Sequence, residues 1–183
     1  MDCEILRTLY LKCNGEVLCN DHVGERVLLG VVEAEDPSWT IDRVFGNEHY
    51  AHIRASFSEG RVPWDGICQR CAFLRPGIPL QDRLARRTLT KLQVEPSLAC
   101  NLRCLCCTNR QQQRARSKPH VMPLASYERT LRSLREDRFK LKTIEYCGQG
   151  EPLTHPGFHE FVTLGRRYFP RARQRLITNG NFD

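Results

Sequence analysis

Hydrophobic positions recur along this chain with two different periods. Two short apolar runs flank Asn14-Gly15, a strong turn dipeptide, which predicts a β-hairpin over 9–19. An apolar run at 27–32 has the length of a strand. The period then lengthens: Ile41, Val44, Phe45, Tyr50, Ile53 and Phe57 recur at nearly helical spacing and predict a helix over 40–58, ended by Gly60 and Pro63. Arg75-Pro76-Gly77-Ile78-Pro79 breaks regular structure, and the basic stretch 81–87 predicts a short helix. Over 89–95 the chain alternates, with Leu89, Lys91 and Gln93 set against Thr90, Leu92 and Val94, as in a strand. Further strands are predicted at 141–147 and 174–178. Helices are predicted at 123–139, with Leu124, Tyr127, Leu131 and Leu134 on one face, and at 156–169, stopped by Pro170. The stretch 109–120, with Arg110, Arg114, Arg116 and Lys118, reads as an exposed loop with some helix.

From residue 88 onward the order is therefore β-α-β-α-β. Alternating strands and helices imply an α/β class with a parallel sheet. Sites in such folds form at the C-terminal ends of the strands. The segment before it is a small cysteine-rich α+β unit over 1–75, joined by a linker at 76–87.

Composition narrows the chemistry. The chain has 183 residues, 40% of them hydrophobic, which excludes disorder as the default. No apolar stretch is long enough to span a membrane, and the N-terminus lacks the pattern of a signal peptide. Ten cysteines without a secretion signal point to metal or redox chemistry in a reducing, cytoplasmic compartment rather than to disulfides. The net charge of +7 comes from basic residues spread along the chain with little aromatic interleaving. That favours solvated helix faces, with a nucleic-acid surface and an anionic small substrate or acidic peptide as equal alternatives.

Two sets of cysteines stand out. Cys100, Cys104 and Cys107 form C-x3-C-x2-C directly after a predicted strand, with Cys106 as an alternative third ligand. Three thiolates so close can hold three corners of an iron–sulfur cubane and leave the fourth iron open; zinc is the alternative. Cys3, Cys19, Cys68 and Cys71 form a second set, from a hairpin region and a distant C-x2-C knuckle. A metal staple would help so small a unit fold, and the ligand set alone leaves zinc and an iron–sulfur cluster both open. Cys147-Gly148-Gln149-Gly150-Glu151-Pro152 follows the second predicted strand of the β-α-β-α-β run, and Thr178-Asn179-Gly180 ends the third. Glycines let backbone approach a ligand, and a carboxylate can hold an ammonium group. Cys13 and Cys147 read as buried thiols, and His155 as a residue at a helix start.

The run Val94-Glu95-Pro96-Ser97-Leu98-Ala99-Cys100-Asn101-Leu102-Arg103-Cys104, followed by Cys107, resembles the opening of a radical S-adenosylmethionine (radical SAM) enzyme. The resemblance implies a [4Fe–4S] cluster on Cys100, Cys104 and Cys107. In that family its open iron binds SAM, and reductive cleavage releases a 5′-deoxyadenosyl radical that takes hydrogen from a substrate. Gly148, Gln149, Gly150 and Glu151 resemble the family's glycine-rich SAM-binding motif, with Gln149 replacing a glycine. Thr178 and Asn179 resemble its third-strand ending. The order Cys3, Gly15, Cys19, Gly30, Tyr50, Arg54, Pro63, Cys68 and Cys71 resembles a SPASM or twitch-type auxiliary-cluster domain, which here precedes the barrel rather than follows it. The implied fold is thus the first half of a partial TIM-like (β/α)6 barrel over 88–183 behind that domain. The expected activity is that of an oxidoreductase or maturase. A peptide is a substrate class that similar enzymes modify, and flavodoxin or ferredoxin are reductants of the expected kind. A half-barrel would bind a cluster but bind SAM poorly alone. The rival reading is a non-catalytic zinc or iron–sulfur module that contacts RNA or protein.

Overall fold

A computed structural model describes residues 1–20, 26–105, 107 and 121–181. Its centre is one six-stranded sheet in the order β3-β2-β1-β4-β5-β6. The strands are β1 (Thr8–Leu11), β2 (Glu16–Leu18), β3 (Leu28–Val31), β4 (Thr88–Val94), β5 (Lys140–Tyr146) and β6 (Arg173–Leu176). β1, β2 and β3 form an antiparallel meander, while β1, β4, β5 and β6 run parallel. The mixed α/β class is the expected one, and so is the β-α-β-α-β order of the second segment.

The N-terminal segment, however, shares this sheet: β1 hydrogen-bonds to β4 over Thr8↔Lys91 to Leu11↔Val94. One buried cluster also runs through both segments, from Leu9, Leu11 and Ile53 to Leu92, Ile144 and Phe161. Parallel pairing across some eighty intervening residues leaves no local trace in a hydrophobic pattern, so it could not be foreseen from periodicity.

Four α-helices are described: α1 (Ile41–Phe45), α2 (Glu48–Ser58), α3 (Leu124–Glu136) and α4 (Phe158–Tyr168). The predicted helix at 40–58 is thus two. Gly46 closes the first, and the Asn47 side chain accepts from the Tyr50 N–H at 3.1 Å to start the second. The same Asn47 amide donates to the Leu29 carbonyl at 2.6 Å, so a polar cap overrides a continuous apolar stripe. The Asn14-Gly15 turn forms as expected, with Gly15 at φ +86°, a conformation that only glycine adopts cheaply.

Alternation gives the parallel strands two unlike faces. Leu9, Leu92 and Ile144 align across the sheet, as do Leu11, Val94 and Tyr146. This face meets the helices: Tyr146 packs on Tyr127 of α3 and Phe158 of α4, and Tyr127 stacks on Phe161 at 4.8 Å. Tyr10, Gln93, Glu145 and Arg175 align on the other face. There Gln93 donates to the Tyr10 hydroxyl at 3.0 Å, and Glu145 pairs with Lys91 at 3.6 Å and Arg175 at 3.1 Å.

Candidate functional site

Three loops leave the C-terminal ends of β4, β5 and β6 and are bonded to one another. The first carries Cys100, Cys104 and Cys107. Cys100 is partly buried, and the Leu102 N–H donates to its Sγ at 3.4 Å. Cys104 is exposed, and the Cys107 N–H donates to its carbonyl at 3.2 Å, folding the ligand run into a turn. Cys106 and residues 108–120 lie outside the described residues, so the alternative third ligand and the basic loop expected there do too.

The second loop is the Gly148 to Glu151 turn. Both glycines serve a close approach, as expected, but of the chain's own atoms. A Cβ on Gly148 would lie 2.3 Å from the Glu95 side chain, and one on Gly150 would lie 2.2 Å from the Ser97 carbonyl. Glu151 is 2% exposed. One of its oxygens accepts from the Leu153 N–H at 3.0 Å and the other from the Asn179 N–H at 2.8 Å. Its own N–H donates to the Ala99 carbonyl at 2.7 Å, which ties the second loop to the first. The Gln149 N–H donates to Glu95 at 2.8 Å.

The third loop completes the group. The Asn179 side-chain amide donates to Asn101 Oδ1 at 2.9 Å and lies 3.8 Å from Cys100 Sγ. Thr178 turns its hydroxyl into its own loop, accepting from the Gly180 N–H at 3.1 Å. His155 accepts the Gly157 N–H at 3.0 Å ahead of α4, the helix-start role expected of it.

Glu95 is the residue that sequence reasoning passed over. Its carboxylate is buried between the N-terminal segment and the glycine turn, paired with Lys12 Nζ at 2.7 Å and approached by the Cys13 N–H at 3.4 Å. The alternation Lys91, Gln93, Glu95 placed it on the polar face, and that was the available signal. Thr154 was also missed; its hydroxyl meets Ser97 Oγ, the Ala99 carbonyl and the Glu151 carbonyl at 2.7–3.2 Å.

The second set of cysteines comes together far from those loops. Asp2 bridges to Arg75 in both directions, at 3.1 and 2.8 Å, which brings Cys3 beside the Cys68–Arg70 turn and Cys71. Cys19 follows β2. All four cysteines line one cavity of about 30 Å³, walled by Ile53 and Phe57 of α2 and by Trp64. His52 holds the Pro63 carbonyl at 2.7 Å and packs edge-on to Trp64, fixing that wall.

Sulfur here is met by nitrogen donors. The Val27 N–H and the Asn20 amide lie 3.3 and 3.1 Å from Cys19 Sγ. Burial pushes the Cys3 thiol up to about 12, against a backbone hydrogen bond at Ile5. Burial also raises Cys19 and Cys68. Without a cation these thiols keep their protons at neutral pH, so a metal would have to displace them. Among the described residues, no three His, Cys, Asp or Glu side chains are drawn in tightly enough to hold a metal ion as they stand. The soft donor set and the N–H groups directed at sulfur still fit a thiolate-bound group.

No family model and no curated protein matches the chain. One solved structure, titled as a crystal structure of BtrN in complex with AdoMet and 2-DOIA, is similar at 31% identity with a TM-score of 0.44. The match covers 51% of this chain and 37% of that one, so the chain spans little more than a third of its length. No helix among the described residues is long and apolar enough to cross a membrane.

Proposed function

We propose that this chain is the cluster- and SAM-binding part of a radical SAM oxidoreductase or maturase, with a second iron–sulfur cluster in the four-cysteine cavity. One observation carries the reading: the C-x3-C-x2-C loop, the Gly148 to Glu151 turn and the Asn179 loop end three adjacent parallel strands and hydrogen-bond to one another. Ligand sites gather at such strand ends.

Cys100, Cys104 and Cys107 would hold a [4Fe–4S] cluster, which supplies the electron that breaks a sulfonium bond of SAM to give a 5′-deoxyadenosyl radical. The protein's own part is to prepare the sulfur and position the cofactor. The Leu102 N–H and the Asn179 amide lie 3.4 and 3.8 Å from Cys100 Sγ and would hydrogen-bond to a metal-bound sulfur there. A carboxylate offers about four acceptor sites, and two backbone donors occupy Glu151; the remainder would take the ammonium group of SAM. Gly148, Gln149 and Gly150 set the turn that presents Glu151. Asn179 keeps the third loop against it, and Thr178 shapes that loop from within.

The cavity lined by Cys3, Cys19, Cys68 and Cys71 would hold the second cluster, with zinc as the competing occupant. Substrate would lie along the polar sheet face, where Lys91, Glu145 and Arg175 suit a polar molecule such as a peptide. The reductant would be flavodoxin- or ferredoxin-like.

The test is anaerobic reconstitution followed by EPR of the reduced protein with and without SAM. A spectrum altered by SAM, and lost in Cys100→Ala/Cys104→Ala/Cys107→Ala, is expected. Zinc without sulfide, and no response to SAM, would overturn the reading.

A further inference from the structure

The hairpin backbone fixes Cys19 directly. Its N–H donates to the Val27 carbonyl at 3.0 Å, and the Val27 N–H lies 3.3 Å from its Sγ. The next residue, Asn20, turns its side chain back to the same sulfur, with Nδ2 at 3.1 Å. That Nδ2 also lies 4.0 Å from Cys71 Sγ, 51 residues further along the chain and part of the distant knuckle. One amide therefore meets a sulfur of the hairpin and a sulfur of the knuckle at once. Asn20 lines the cavity together with all four cysteines, where the rest of the wall is aliphatic and aromatic, Trp64 and Phe73 included. A carboxamide NH2 carries two N–H donors, enough for one at each sulfur, and it does not titrate. In apolar surroundings such a hydrogen bond is stronger than in water.

We propose that Asn20 is a positioning residue for the cluster of the four-cysteine cavity; this rests on the iron–sulfur reading of that cavity given above. Its amide donates to the iron-bound sulfurs of Cys19 and Cys71. It thereby ties two ligands from separate segments together and raises the reduction potential of the cluster. Hydrogen bonds to cluster sulfur are one of the protein's levers on potential. Groups that bond to the ligands from behind also govern how well the metal is retained. A donor offsets negative charge on sulfur, and reduction adds an electron to the cluster. The donor therefore stabilises the reduced state more than the oxidised one.

The experiment uses the full chain carrying Cys100→Ala/Cys104→Ala/Cys107→Ala, so that any cluster belongs to the cavity. Asn20→Leu, close in size but without a donor, should leave iron and sulfide per chain unchanged and move the midpoint potential negative. Release of iron to a chelator should become severalfold faster. Asn20→Asp keeps the shape and turns carboxylate oxygens toward the sulfurs, so its potential should lie further negative still. A merely structural role would not set the potentials in that order. Electron–nuclear double resonance of the reduced parent, with the side-chain amide of asparagine isotopically labelled, reads the contact itself. A coupling from that amide nitrogen is expected in the parent, and it decides the matter if the variants fail to fold. A parent without the coupling, or a potential that stays put or moves positive in both variants, would overturn the Asn20 proposal alone. A parent that takes up zinc, or no iron and sulfide, would overturn the cavity reading and this proposal with it.

Discussion

Cys3, Cys19, Cys68 and Cys71 come from separate parts of the N-terminal segment and meet at a cavity walled by core residues of α2. Cys100, Cys104 and Cys107 come from one loop, and the middle one stands exposed. The first set is brought together by the fold. The second is close in sequence, and the fold ties its loop to the neighbouring ones through the Glu151 N–H and the Asn179 amide. Burial raises thiols at the first site, so a metal there would have to displace their protons.

The sharpest way to break this comparison is at the joint between the regions. Lys12, just after β1, and Glu95, just after β4, form a buried ion pair between them, with side chains 10% and 0% exposed. Lys12→Met leaves a buried carboxylate without its cation and should cost about 3–5 kcal/mol. Equilibrium denaturation measures it, and adding Glu95→Leu should recover much of the loss. The seam among the three loops comes next. Gly150→Ala drives a Cβ into the Ser97–Leu98 backbone and should cost about 1–3 kcal/mol or more. Gly60→Ala, with open space around it but φ +74°, should cost only about 1 kcal/mol.

A control far from both sites should give the smallest effect. The Tyr168 hydroxyl at 2.8 Å, aided by Arg132, holds the Glu128 carboxyl below its ordinary 4.5. A lowered folded-state pKa contributes stability above the unfolded value, lost as pH falls through the folded one. The pair is half-exposed, so the contribution should be under about 1 kcal/mol. Glu128→Gln should flatten that part of the acid unfolding curve.

Much of this was legible in the sequence because its signals are local. The hairpin turn, the helical stripes of α3 and α4, and the placement of each motif after a strand all follow from short-range pattern. The convergence of Cys3 with Cys19, Cys68 and Cys71 at one cavity was foreseen as a grouping, whereas the Asp2–Arg75 bridge that achieves it was not. The β1–β4 pairing, the Lys12–Glu95 pair and the break at Asn47 were not visible. Each depends on a partner distant in the chain: β4 for β1, Glu95 for Lys12, and the Leu29 carbonyl for Asn47. The glycines of the turn were noticed for the right property, close approach, but what approaches is Glu95 and Ser97.

Two separable iron–sulfur sites, of which only one answers to SAM, would part company in a single experiment. The direct measurement is iron and sulfide per chain after anaerobic reconstitution of three proteins: the parent, Cys100→Ala/Cys104→Ala/Cys107→Ala, and Cys3→Ala/Cys19→Ala/Cys68→Ala/Cys71→Ala. Roughly eight irons are expected in the parent and roughly four in each variant, with the SAM-dependent EPR change kept only where Cys100, Cys104 and Cys107 remain. Equal iron in all three proteins, or a SAM response that survives without those three cysteines, would contradict the two-site reading.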